Sequence, residues 1–289
     1  MLQGKIMKET LIILFTILVT FWIFVTTPLA FDKLALEKLK STKQCKECDL
    51  EKANLSGLDL KDADLEKANL KESNLEKSDL SRANLKGANL HKASLKEADL
   101  EGANLEGVDL EKAKLAGGDF QDCNMQNSNL RNAETYNANF RGANLQGANL
   151  SRVSGTANFA DANLSKANLQ EAELRSAMSL FQGSNFLRSN LRGASLQKAV
   201  LNGANFKEAN LEGAAIQQAD LQYANLQKTN LHNANLEGAD LRQADILETN
   251  FTEANLAKTD FQQAIWGMVN IDPRQRERCK IGSVGTCIK

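Results

Sequence analysis

Few side chains in this 289-residue sequence are of types that do chemistry: there are five Cys and two His. Cys45 and Cys48 form a CxxC, a spacing that serves a redox pair, half a zinc site, or a local disulfide. A zinc site needs more ligands, yet no second CxxC follows and no His is near. A redox pair needs a helix start or similar device to lower a thiol pKa, and the sequence offers none there. Cap thiols or a local disulfide are therefore the plainer expectation for Cys45 and Cys48. Cys279 and Cys287 lie eight apart near the end and could close a small loop in an oxidising compartment, or stay as free thiols. His91 and His232 have no Ser or Cys at a catalytic spacing. There is no phosphate-binding Gly loop and no isolated carboxylate pair. No residue is expected to serve a catalytic, cofactor or metal role, so the expectation is a chain that is not an enzyme.

What positions these residues is a period of five. Leu50, Leu55, Leu60 and Leu65 begin a series that runs in register to Leu150, with Thr135 its one polar centre. Phe159, Leu164, Leu169 and Leu174 run one residue early, and Phe186 to Phe261 form a third block, for 41 centres in all. Two residues before each centre stands a small residue, as at Ala53, Ala63 and Ala68, or Cys123 before Met125. One before the centre stands Asn or Asp, as at Asn54, Asp59 and Asn69; the two after it are mostly polar. His91 and His232 each follow a centre and should point outward.

Five residues turn an α-helix through about 500°, which leaves no stripe, and on a flat strand an odd period would send successive Leu to opposite faces. All the centres can lie inside only if the chain bends once per repeat. Asn and Asp suit the corner, since their side chains bond nearby backbone. A single unit cannot bury its own Leu, so stacked neighbours must; the expectation is a solenoid with Leu and Ala inside.

Units such as Ala68-Asn69-Leu70-Lys71-Glu72 and Ala83-Asn84-Leu85-Lys86-Gly87 resemble the pentapeptide-repeat family over about 49 to 265. The resemblance implies an all-β fold: a right-handed, four-sided β-helix with four units per coil. About ten coils at ~4.8 Å make a rod of roughly 50 Å. The stretch from Ser41 to Leu50 also resembles the lead-in of exported cyanobacterial members.

The organisation expected is residues 1–30 as signal peptide or membrane anchor, 31–48 as cap helix and linker, 49–265 as the repeat solenoid, and 266–289 as C-terminal cap and irregular basic tail. Lys5 and Lys8 precede an uncharged run from Leu11 to Val25, and Ala30 ends a small-residue stretch. That reads as a cleaved signal, or as an uncleaved anchor spanning Leu11 to Ala30; a buried core helix is the remaining alternative. Asp32 is a candidate N-cap for a short helix over Lys33 to Lys40. Ile265, Trp266, Met268, Val269 and Ile271 are a candidate apolar cap at the far end. Two register slips, at Ser151–Thr156 and Met178–Gln182, are either a docking loop or tolerated erosion of the repeat. Across them, Phe120, Phe140 and Phe159 should stack on one face, as should Phe186 and Phe206.

The overall charge of −1 and 25% charged residues exclude a strongly basic nucleic-acid binder. Between 49 and 115, 15 acids stand against 11 bases, so the outer rows are mixed Glu and Lys. The reading that follows is a non-catalytic structural or interaction solenoid beyond a membrane, in periplasm or thylakoid lumen. It would meet an unknown protein partner through its polar faces, with no cofactor and no nucleic acid. The N-terminal segment would meet the membrane during export or as an anchor. The alternative, which the resemblance supplies, is a DNA mimic that binds a topoisomerase such as gyrase.

Overall fold

The computed structural model describes residues 33–274. Helix α1 spans Lys33–Thr42, and from Gln44 to Asn270 the chain winds in coils that pair in parallel with the next. Asp32, the Leu11 to Ala30 segment and the Cys279 and Cys287 pair lie outside the described residues. Among the described residues no helix is long and apolar enough to cross a membrane.

The register gives the coil length. Asp49 pairs with Asn69, Asn69 with Asn89 and Asn89 with Asp109, so twenty residues, or four five-residue units, make one coil. Each straight piece is the small residue, the Asn or Asp, and the centre. Its middle residue bridges to the neighbouring coils, while its flanking residues point inward and are buried. A piece so short forms single bridges; among the described residues only Ala138–Asn139 (β1) and Ala157–Asn158 (β2) extend to a two-residue parallel pair. Backbone bonds tie coil to coil, as from Leu50 N to Asn69 O at 2.7 Å and from Asn69 N to Cys48 O at 2.8 Å.

The bend differs from the sequence expectation. Asn and Asp lie on the straight pieces, and the corner is made by the two outer residues after each centre. The centre's carbonyl accepts from the amide three residues on, as from Ala53 N to Leu50 O at 3.0 Å. The second outer residue takes a left-handed backbone, with φ 60° at Lys52 and 56° at Glu72. Asn and Asp do bond locally: Oδ1 of Asn74 accepts from Glu76 N at 3.0 Å, which braces the turn from one side.

The core is a stack of centres and small residues. Rings of Phe120 and Phe140 stack at 4.8 Å, as do those of Phe140 and Phe159, and those of Phe186 and Phe206 stack at 4.6 Å, as expected. Two further centres emerge. Phe181 stacks on Phe159 at 5.1 Å, and Cys45 is fully buried in the position of Leu65 one coil on.

At the N-terminal end, Leu39 and Ala35 of α1 enter the same core cluster. The helix stops at Lys43, whose φ of 56° and amide bond to Leu39 O at 2.8 Å form a left-handed C-terminal turn. At the far end Trp266, Val269 and Ile271 pack partly on the core, but Ile265 and Met268 stay exposed, so the expected apolar cluster is only partly closed. Asp272 Oδ1 accepts from Arg274 N at 2.8 Å, beside Pro273.

Candidate functional site

The outer rows are built by the corners. Residues twenty apart sit above one another there, and opposite charges alternate: Lys46 with Glu66 at 3.0 Å, Lys86 with Glu106 at 3.0 Å, Lys71 with Glu51 at 3.5 Å. Arg82 grips Asp62 with two bonds of 2.8 Å. Further along, Arg152 meets Glu171 at 2.8 Å and Arg188 meets Glu208 at 2.7 Å. Hydrogen bonds from these guanidinium groups hold the carboxyls of Asp62, Glu171 and Glu208 below the usual range. The mixed charge of the sequence is thus largely spent on its own neighbouring coils. Exposed pairs of this kind add little stability each.

Beside the charged corners run rows of Asn. Side-chain amides bond from coil to coil, as from Asn104 Nδ2 to Asn84 Oδ1 at 3.2 Å, Asn124 to Asn104 at 3.2 Å and Asn205 to Asn185 at 3.0 Å. A different straight side carries a row of Asp, with Asp59, Asp79, Asp99 and Asp119 in successive register.

Both register slips fall at one corner of consecutive coils. Ser154 pairs with Glu173, and Asn158 with Leu180, so the segment from Gly155 to Phe159 lies directly against that from Leu174 to Phe181. The first coil is one residue short and the second two residues long. Gly155 has φ 121°, and a Cβ there would stand 2.7 Å from the backbone N of Tyr136. The longer turn pushes Met178 outward, 62% exposed, and Tyr136 is exposed two coils earlier at the same corner. Beside it an open concavity of about 490 Å³ is lined by Arg152, Ser154, Glu171, Glu173, Arg175 and Ser195 among others.

Cys45 and Cys48 are joined as a disulfide at the mouth of the first coil. Sγ of Cys45 lies 3.3 Å from Ala35 O of α1; a disulfide sulfur has no proton to donate, so this is a packing contact. Cys48 occupies the small inward position and packs on the core. Cys123 is buried, its thiol pushed up to about 12 chiefly by burial, which makes it an inert part of the core. His232 faces Thr252, with Nδ1 3.0 Å from Oγ1 and 3.1 Å from the carbonyl O. His91 meets Asp109 and Glu111, a convergence the sequence reading missed.

Two family profiles match this architecture. One, described as a pentapeptide repeat region, covers residues 74–150; the other, described as pentapeptide repeats (8 copies), covers 44–82 and, in overlapping segments, 157–265. The chain belongs to the pentapeptide repeat family. No curated protein matches it. Among solved structures it is similar to HetL, a pentapeptide repeat protein involved in heterocyst differentiation regulation in the cyanobacterium Nostoc sp. strain PCC 7120. Identity is 28%, over 81% of this chain and 98% of that one, with a TM-score of 0.29. It is similar also to QnrB1, a plasmid-mediated fluoroquinolone resistance protein, at 19% identity over 80% of this chain and 99% of that one, TM-score 0.42. A pentapeptide repeat protein from the Arabidopsis thaliana thylakoid lumen matches at 29% identity, over 50% of this chain and 77% of that one, TM-score 0.18.

Proposed function

We propose that this chain is a non-catalytic interaction rod that works beyond a membrane, in periplasm or thylakoid lumen, and meets a protein partner through its polar faces. The rod is read as a right-handed, four-sided β-helix, with α1 as the cap of its N-terminal end. Residues 1–30 are read as the export signal or anchor, 31–48 as cap and linker, 49–265 as the repeat body and 266–289 as the far cap and tail. The observation that carries the reading is the regular spacing of outer side chains. Rows of Asn and of paired charges repeat once per coil along the rod, which gives a partner a rigid and periodic template. The Cys45–Cys48 disulfide supports an oxidising compartment. The tail pair of Cys279 and Cys287 is read as a second disulfide of that compartment.

One observation favours the second reading, a DNA mimic that binds a topoisomerase such as gyrase: the row of Asp59, Asp79, Asp99 and Asp119. Its density argues the other way. One carboxylate per coil is one charge per ~4.8 Å, against one per ~1.7 Å of duplex axis. Lys43 also bonds Asp59 at 2.8 Å.

The test is affinity capture from the enclosed fraction with outward variants on separate faces. Lys207→Glu with Gln146→Lys alters the Asn side; Tyr136→Glu with Met178→Glu alters the slipped corner. A partner held in fixed ratio, and lost in one variant pair at unchanged melting temperature, supports the reading. Turnover of a substrate by the purified chain, abolished by a surface variant, defeats it.

A further inference from the structure

Among the described residues, one group of three metal-ligating side chains converges: His91, Asp109 and Glu111, with one imidazole nitrogen and one oxygen of each carboxylate all within 4.8 Å of each other. The three are half-buried and come from adjacent coils. Glu111 stands twenty residues after His91, directly above it on the same corner row. Asp109 stands on the straight piece that leads into that corner.

The cluster is braced by its own turn and by the next coil. Oδ1 of Asp109 accepts from Glu111 N at 3.0 Å and from the side-chain amide of Asn129 at 2.9 Å. Those two bonds fix the carboxylate and leave Oδ2 facing Nδ1 of His91 at 4.0 Å. The backbone amide of His91 donates to Asn89 Oδ1 at 3.0 Å, which sets the turn that carries the imidazole. Bonds behind a ligand that orient it are a feature of working metal sites. Lys112 approaches Glu111 only at 3.9 Å from an exposed side chain, a weak competitor for a divalent ion.

We propose that His91, Asp109 and Glu111 bind a divalent cation of the zinc type through one imidazole nitrogen and two carboxylate oxygens. That donor set suits zinc, whose bonds of ~2.0–2.2 Å need the ligand atoms drawn closer than they stand, within reach of side-chain rotation. A fourth position stays open to water. The ion would clamp two coils at their corner. His232 occupies the same row further along but lacks the set: Thr252 takes its Nδ1 side, and a single carboxylate, Glu253, lies 3.8 Å from Nε2.

The test is calorimetric titration of the full-length chain, purified in detergent, with Zn²⁺ alone, beside melting curves with and without the ion. The expected result is one saturable zinc in the wild type, bound at least tenfold more weakly in His91→Gln and in Asp109→Asn and unchanged in His232→Gln. Zinc should raise the melting temperature of the wild type but not of the two weakened variants. Glu111→Gln serves should either variant fail to fold. Absence of saturable uptake, or uptake that survives these substitutions within threefold, overturns the proposal.

Discussion

The ring of Phe181 stacks on the ring of Phe159 with centroids 5.1 Å apart and planes 3° from parallel, although 22 residues separate them. The two extra residues are therefore carried outside the core, in the turn that exposes Met178, while the inner stack stays continuous from Phe120 to Phe181. Phe159 has a ring above and below it, so its removal leaves a void that neither neighbour can fill. Phe159→Ala should cost about 3–5 kcal/mol, and Phe159→Leu clearly less, as Leu already serves as a centre elsewhere in this stack. Denaturant unfolding of the two variants checks the order; equal losses would argue against a packed ring stack.

Gly155 should tolerate no side chain. At φ 121° its Cβ position meets the backbone of Tyr136 and Thr135, which cannot rotate away. Gly155→Ala should destabilise by at least about 2 kcal/mol, from strain and clash together. Gly107→Ala, at an ordinary corner with nothing within 4 Å, should lose clearly less. Paired melting curves of these two variants separate the slipped corner from the regular one.

A buried serine offers a gain. Ser73 fills a small inward position, and its Oγ has no hydrogen-bond partner, whereas Ser78 Oγ donates to Leu75 O at 2.8 Å. Replacing an unpaired buried hydroxyl with a methyl should help, so Ser73→Ala should add about 1 kcal/mol. Ser78→Ala should not. A fall in stability for Ser73→Ala would mean that its hydroxyl is paired after all.

Acid should loosen the outer rows. Asp62, Glu171 and Glu208 are held below the usual carboxylate range by Arg82, Arg152 and Arg188. Their contribution is present in full above the unfolded carboxylate pKa of about 4 and is lost as pH falls through the lower folded values. The melting temperature should stay level from neutral pH to about 5 and then drop. The drop should be small, because the pairs are exposed, and weaker in high salt. A loss that begins as pH rises above 5 would contradict this assignment.

The centres, the small inward residues and the first Phe stack were legible in sequence, because burial of one large and one small residue per unit leaves a strict period. Phe181 stands five before Phe186, in the period of the third block, but the seven-residue step from Leu174 hides where that block begins. Cys45 stands five before Leu50 and so keeps the period, but it is not one of the large apolar types that mark the other centres. The local bonding of Asn and Asp points to them as the corner, and they do bond locally; the left-handed residue is the second outer one. A signal for that was present: among the described residues, none of the non-glycine residues with positive φ is Val, Ile or Thr, the types least able to adopt it. The convergence of His91 with Asp109 and Glu111 needs the coil length, and a period of five requires a bend without saying how many bends close a turn.

The central claim is an interaction rod placed beyond a membrane, and fractionation with protease protection and N-terminal sequencing tests it most directly. The account predicts a chain shielded inside a membrane-bounded compartment. Its N-terminus would lie near residue 31, or it would be intact and membrane-bound. A chain that retains Met1 and is found free in the cytoplasm would contradict it.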